Sequence, residues 1–195
     1  MERLPFRSTT LPEVAPVSPD WSPDGRFVLY RSAGDLYSGD VAEKRAPVPF
    51  VNSPFTETEG RFSPDGRYVA YMSNESGRFE VYVRPFPAGD RKWIVSTNGG
   101  GPPRWSRRGD ELFHAEGNRL MAVPVSTRSS FRSSLPVKLF DAAAIGASLS
   151  QFTPMTPDYD PAPDGQRFVL ARGTPTGQEK IVVVENWAAE LGRRQ

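Results

Sequence analysis

The chain has 195 residues, with 24 basic and 23 acidic side chains and a formal net charge of +1, too weak a field to draw nucleic acid or an anionic membrane surface. It has no cysteine and one histidine, His114, which excludes disulfides, thiolate metal sites, cysteine nucleophiles and multi-histidine metal centres. The length suffices for one core-forming domain; no apolar run approaches the ~20 residues of a membrane-spanning helix, and Met1 to Arg7 has no apolar stretch of signal-peptide length.

Twenty prolines, about twice the ordinary ~5% share, and 17 glycines punctuate short strands rather than long helices. In chain order, Leu4–Ser8 is the first strand, followed by a proline-bearing loop. A unit then begins at Trp21-Ser22-Pro23-Asp24-Gly25-Arg26 and continues with strands over Phe27–Ser32, Asp35–Asp40 and Val48–Val51. The second unit opens on Phe62-Ser63-Pro64-Asp65-Gly66-Arg67, with a short innermost strand at Gly60–Ser63 and further strands at Tyr68–Ser73, Phe79–Phe86 and Lys92–Ser96. The third opens on Trp105-Ser106-Arg107-Arg108-Gly109, with strands at Glu111–Ala115, Arg119–Val125 and Val137–Phe140. Asp141 to Thr156 is an insertion with weak helical character at Ala142–Ala144, and a loop of that length is usually functional or mobile. The fourth unit keeps Pro163-Asp164-Gly165, with Tyr159 loosely in the aromatic place and strands at Arg167–Ala171 and Lys180–Glu185. A short C-terminal helix follows at Asn186 to Leu191.

The turn glycines Gly25, Gly66, Gly109 and Gly165 are 41, 43 and 56 residues apart, and a β-rich repeat of ~40 residues is the mark of propeller blades. The expected fold is all-β, a β-propeller segment of about four four-stranded antiparallel blades in one domain, 1–195, with units near 18–56, 57–99, 100–140 and 157–187 and the N-terminal strand 4–8. The fourth unit lacks an outermost strand, while Leu4–Ser8 reads like Val48–Asn52, the outer strand of the first. Either this strand closes the ring by completing the fourth blade, or it is the remnant of an upstream blade in a longer propeller.

Within each motif, proline presets one turn dihedral, glycine takes the left-handed position, and the aspartate carboxylate accepts neighbouring N–H groups. Asp24, Asp65 and Asp164 are therefore expected to be turn-makers rather than metal ligands, since propeller symmetry spreads equivalent turns around one rim. The aromatic leads Trp21, Phe62 and Trp105 are expected to pack between blades, with ligand stacking the minority alternative. His114 lies five residues past its glycine, in register with Tyr30, Tyr71 and Leu170, and reads as a packing residue. Neither a Gly-x-Ser-x-Gly elbow, a phosphate loop nor a His-Arg-Asp catalytic loop occurs in the sequence. No catalytic, cofactor or metal residue is assigned.

The Trp/Phe-Ser-Pro-Asp-Gly-Arg-aromatic-Val unit resembles the WD-like repeat of TolB-type β-propellers over nearly the whole chain. The closing stretch Lys180-Ile181-Val182-Val183-Val184-Glu185-Asn186-Trp187 resembles that of propellers fused behind bacterial serine/threonine protein kinase domains. The resemblance implies a noncatalytic binding or sensing module for a protein or peptide partner, extracytoplasmic if the parent is a membrane kinase or TolB-like. No nucleic acid, membrane span or cofactor is expected, whereas self-association through open blade edges is. The alternatives left open are a propeller domain of a hydrolase or peptidase enzyme, and a nonfunctional truncated fragment.

Overall fold

The computed structural model describes residues 17–43, 46–149, 159–173 and 179–185. The first blade is an antiparallel sheet in sequence order: β1 (Val17–Trp21), β2 (Phe27–Ser32), β3 (Asp35–Asp40) and β4 (Val48–Val51). The second repeats it with β5 (Glu57–Phe62), β6 (Tyr68–Ser73), β7 (Glu80–Pro85) and β8 (Trp93–Ile94). The third has β9 (Arg104–Trp105), β10 (Glu111–Glu116), β11 (Arg119–Ser126), β12 (Arg132–Ser133) and β13 (Val137–Asp141), with both β12 and β13 paired to β11. The fourth has β14 (Tyr159–Pro161), β15 (Phe168–Gly173) and β16 (Glu179–Val184). The fold is thus all-β and propeller-like.

Several strands differ from their sequence expectation for local reasons. The innermost strand of the second blade starts at Glu57, because a bulge between Thr58 and Arg61 lets pairing with β6 resume on its far side. The outermost is only Trp93–Ile94: beyond it, the Ser96 side chain takes over as acceptor from Val81 N at 2.8 Å. In the third blade, Phe131 is buried against Tyr68, Trp93 and Trp105, and this anchor brings Arg132–Ser133 onto β11 as an added strand. The helical character after Asp141 becomes a 3-10 helix, Ala142–Ile145, capped by the Asp141 carboxylate accepting from Ala143 N. The expected strand 4–8, the helix at 186–191 and residues 150–156 of the insertion lie outside the described residues.

The second blade is sandwiched between the first and the third, and its second strand shows why the alternation is apolar on both sides. All six residues of β6 are buried: Val69 and Tyr71 face the first blade, Tyr68 and Ala70 the third. We call these faces upstream and downstream. Phe62 and Tyr71 fill the first interface with Leu29, Leu36 and Phe50, while Trp105 and Leu112 fill the second with Tyr68, Val81 and Val83. The third joins Phe113, Leu120 and Phe140 to Tyr159, Phe168 and Leu170. Each fully buried aromatic or leucine contributes about 1.5–3 kcal/mol of transfer free energy, so these interfaces are the core.

The turn that starts each blade is built the same way. Gly25 N donates to Ser22 O at 2.8 Å, Gly66 N to Ser63 O at 2.8 Å, Gly109 N to Ser106 O at 3.0 Å and Gly165 N to Ala162 O at 2.9 Å. The four glycines have φ near +70° (70, 70, 71 and 69), the left-handed region that a Cβ disfavours. Asp24 and Asp65 each accept from the turn serine and from the backbone N–H two residues on. Burial opposes the Asp65 charge, but the Ser63, Thr127 and Arg67 hydrogen bonds outweigh it and hold the carboxyl at about 2. In the third blade Arg107-Arg108 replaces Pro-Asp, and Asp110 supplies the carboxylate instead, accepting from Ser106 Oγ at 2.7 Å. Replacing Gly66 (φ +70°) with valine is therefore expected to destabilise the fold by about 1–3 kcal/mol, read as a lowered denaturation midpoint.

Candidate functional site

The innermost strands bring together charged residues whose spacing is as regular as the turns. Asp20, Arg61, Arg104 and Asp160 each stand immediately before the position of the aromatic lead, and each is paired with the equivalent residue of its second strand: Leu29, Ala70, Phe113 and Val169. Their polar groups link neighbouring blades. Asp20 Oδ2 accepts from Phe62 N at 2.8 Å, and Arg61 Nη1 donates to Ser18 O at 3.2 Å and to Gly60 O at 2.8 Å. Arg104 Nη1 lies 4.0 Å from Glu59 Oε2, and its Nε lies 3.8 Å from Asp160 Oδ1. A polar chain therefore runs through the inner strands of all four blades.

Glu59 is its hub. The side chain is 2% exposed; its Oε2 takes Arg61 Nη2 at 2.9 Å and its Oε1 accepts from Ser18 Oγ. Ser18 and Glu59 occupy equivalent places in the repeat, both inside bulges and both at positive φ, 52° and 53°. A non-glycine residue in that region is strained, and bulges of this kind re-aim side chains. Here they turn the Glu59 carboxylate toward two arginines of successive blades. Burial pushes the Arg61 pKa down, and neighbouring Arg104 adds to the effect. Burial also raises that of Asp20, against the Phe62 N–H that favours its charge.

Arg104 stands apart in its hydrogen bonding. Its side chain is 10% exposed, yet its one hydrogen bond among the described residues runs from Nη1 to Pro103 O at 2.8 Å. The nearby carboxylates, at 3.8 and 4.0 Å, are ion pairs beyond hydrogen-bond reach. A planar fork with unused donors is chemically suited to an acceptor such as a carboxylate or a peptide carbonyl.

The repeat-motif residues sit around this chain rather than in it. Pro23, Asp24, Pro64, Asp65, Pro163 and Asp164 are exposed on the turns, whereas Gly165 is buried and Gly66 and Gly109 are half-buried. Phe62 and Trp105 are buried between blades, and Trp105 Nε1 donates to Arg61 O at 3.1 Å. Trp21 departs from the packing expectation: it is 57% exposed, because its upstream face meets no other described blade. Pairing with Phe168 puts Pro161, not Tyr159, in the lead position; Tyr159 is buried two residues earlier, its hydroxyl donating to Pro102 O at 2.8 Å.

Tyr30, Tyr71, His114 and Leu170 share one register on their second strands and are all buried. His114 Nδ1 is 3.2 Å from Ala115 O and so carries the proton, while Nε2 is buried without a partner among the described residues. A shallow rim pocket of about 440 Å³ lies beside Arg78 and Glu80. Burial works against the Glu80 charge, but Ser96, Arg78 and the Gly99 N–H hold its pKa below the ordinary value, so this carboxylate is already satisfied. Among the described residues no group of three or more His, Cys, Asp or Glu side chains is arranged to hold a metal ion, and no helix is long and apolar enough to cross a membrane.

No family model matches the sequence. The uncharacterized peptidase YuxL of Bacillus subtilis is 26% identical over 111 residues, 51% of this chain and 17% of its own length. The uncharacterized protein Atu1656 of Agrobacterium fabrum is 28% identical over 85 residues, 41% of this chain and 28% of its own. In three dimensions the chain is similar to TolB from Acinetobacter baumannii, with a TM-score of 0.65 at 16% identity, covering 88% of this chain and 41% of that one. A putative TolB from Agrobacterium tumefaciens gives 0.68 at 22%, covering 88% and 58%. An oligogalacturonate lyase in complex with manganese gives 0.62 at 11%, covering 87% and 48%. The class defined is a β-propeller. More particularly, the chain has a TolB-like propeller fold, and it spans well under two thirds of the length of each of these proteins.

Burial pushes the His114 pKa down, against the Ala115 carbonyl that favours the proton. The folded protein therefore resists protonating a group that the unfolded chain protonates below ~6.5. Stability is expected to be full above that value and to fall as pH drops from about 7 to 5. In His114→Phe that slope should flatten, as measured by denaturant midpoints across the range.

Proposed function

We propose that this chain is a noncatalytic binding module whose inner strands take a protein or peptide partner. The observation that supports it most directly is Arg104: nine-tenths buried, one hydrogen bond among the described residues, and no carboxylate within hydrogen-bond distance. Its guanidinium N–H groups that make no hydrogen bond to the described residues are donors that an incoming carbonyl or carboxylate could take up. The surrounding Asp20, Glu59 and Asp160 offset the two arginines, so the site favours a polar segment with both donors and acceptors over a multiply charged anion. In the parent architecture that the closing stretch resembles, this module is the extracytoplasmic sensor part of a bacterial serine/threonine kinase. No kinase residue lies in this chain.

A second reading, an enzyme's propeller domain, draws on the match to a protein named as a peptidase and on fold likeness to the lyase and to the tricorn protease (TM-score 0.57, 16% identity). It predicts turnover of peptide or oligogalacturonate by the purified chain.

The test is a calorimetric titration of the chain with a panel of short peptides of acidic, neutral and basic composition. At least one class should bind without being cleaved, and Arg104→Met should weaken that binding about 10- to 100-fold while the melting temperature stays near the parent's. Binding unchanged in Arg104→Met, or turnover of any panel member, would sink this reading.

A further inference from the structure

The third turn is the one place where the repeated motif changes its charge. In the other blades the arginine of the turn has its own acid: Arg26 pairs with Asp40 at 2.7 Å, Arg67 with Asp65 at 2.9 Å and Arg167 with Asp164 at 3.0 Å. In the third, Arg107 and Arg108 are exposed and make no hydrogen bond or ion pair among the described residues. The turn does not need them, since Asp110 supplies the carboxylate and Gly109 keeps the tight backbone bond. Their charge is left for solvent or for a partner.

The surroundings of this turn favour a partner. In an antiparallel blade, the turn joining the first two strands and the loop after the third strand leave at the same end of the sheet. Arg67 braces that end of the second blade to the third: its Nε and Nη2 hold Asp65 at 3.0 and 2.9 Å, its Nη1 reaches Arg128 O at 3.4 Å, and Nη2 also donates to Thr127 O. A Cβ at Gly109 would stand 3.6 Å from Pro64 Cδ, so the Arg107-Arg108 turn lies against the same Pro64-Asp65 turn. Phe131 fixes the far end of the loop, its ring 6.4 Å from that of Trp105, two residues before Arg107. The segment so placed carries Arg128 and Arg132, both exposed and likewise without a partner among the described residues. Four unpaired arginines therefore gather at one end of the third blade. The carboxylates beside them, Asp65 and Asp110, are already engaged by Arg67 and by Ser106 Oγ. On a chain of formal net charge +1 this is a local concentration of positive charge, not a general one.

We propose that this end of the third blade docks an acidic protein segment, whose Asp and Glu carboxylates are taken by Arg107, Arg108, Arg128 and Arg132. Guanidinium forks match carboxylates in geometry as well as in charge. Single-stranded nucleic acid fits less well: its bases stack on exposed aromatic rings, whereas Trp105 and Phe131 are buried, and Asp65 and Asp110 would repel a continuous phosphate backbone. The inference uses the rim arginines and not Arg104, so it stands or falls apart from the proposed peptide site.

Fluorescence anisotropy with a labelled oligoglutamate peptide tests it, a multiply charged anion of the kind that the inner strands disfavour. The parent should bind, and more weakly as salt rises. Arg107→Gln combined with Arg108→Gln should weaken binding about 10-fold or more while the melting temperature stays near the parent's, because neither side chain bonds within the described fold. Arg26→Gln combined with Arg167→Gln removes as much charge from paired positions and should leave the affinity within about twofold, as should Arg104→Met. A parent that does not bind oligoglutamate would overturn the proposal. So would equal losses in the two double variants, which would reduce the attraction to net charge. Loss in Arg104→Met alone would move the peptide to the inner strands, and tighter binding of an oligothymidylate of matched charge would make the patch a nucleic-acid site; either result also overturns it.

Discussion

A propeller blade must bury two faces at once, and everything else in this molecule follows from that demand. A sheet with one wet face alternates apolar and polar side chains; β6 cannot, and all six of its residues are buried. Face-to-face seating converts each repeat into half of two interfaces, so no repeat completes its own core. The lead residue of each blade therefore finds its environment in the preceding one. Phe62 and Trp105 are buried because such a blade is there, and Trp21 is exposed where none is described.

The same stacking draws the innermost strands together, and their backbone pays a conformational cost for what they hold. Bulges at Ser18 and Glu59 sit in positive φ, a region costing on the order of 1–3 kcal/mol per residue. In the second blade this strain coincides with a carboxylate that is buried between two arginines. Breaking one partner of such a group leaves a charge without compensation, which ties the charged chain to the register of the blades. Arg104 is the member whose donors exceed its partners, which is why the proposed peptide site centres on it.

Turn chemistry tolerates substitution where its physical requirement is met by another atom. Ser106 keeps a carboxylate partner although Arg107-Arg108 occupies the Pro-Asp position, because Asp110, one residue past the glycine, reaches the same hydroxyl. Ala162 cannot offer a hydroxyl at all, yet Gly165 still donates to its carbonyl and Asp164 still accepts from Gln166 N. Left-handed glycine and the tight backbone bond are common to all four turns, while the side-chain bonds vary.

The repeat itself, the all-β class and the second and third strands of each blade were legible in the chain, because turn residues and period-two alternation are local properties. Phe27–Ser32, Asp35–Asp40, Val48–Val51 and Tyr68–Ser73 have the very bounds expected of them. The Asp20, Arg61, Arg104 and Asp160 series is a local signal as well, since each stands five residues before its turn glycine, one position short of the aromatic lead. What no local pattern contains is which charges meet across blades, how the Ser18 and Glu59 bulges aim them, and that Trp21, alike in sequence to Trp105, lies open. Those depend on the neighbour that each sheet face finds, and a neighbour some forty residues away in the chain is chosen only when the blades stack.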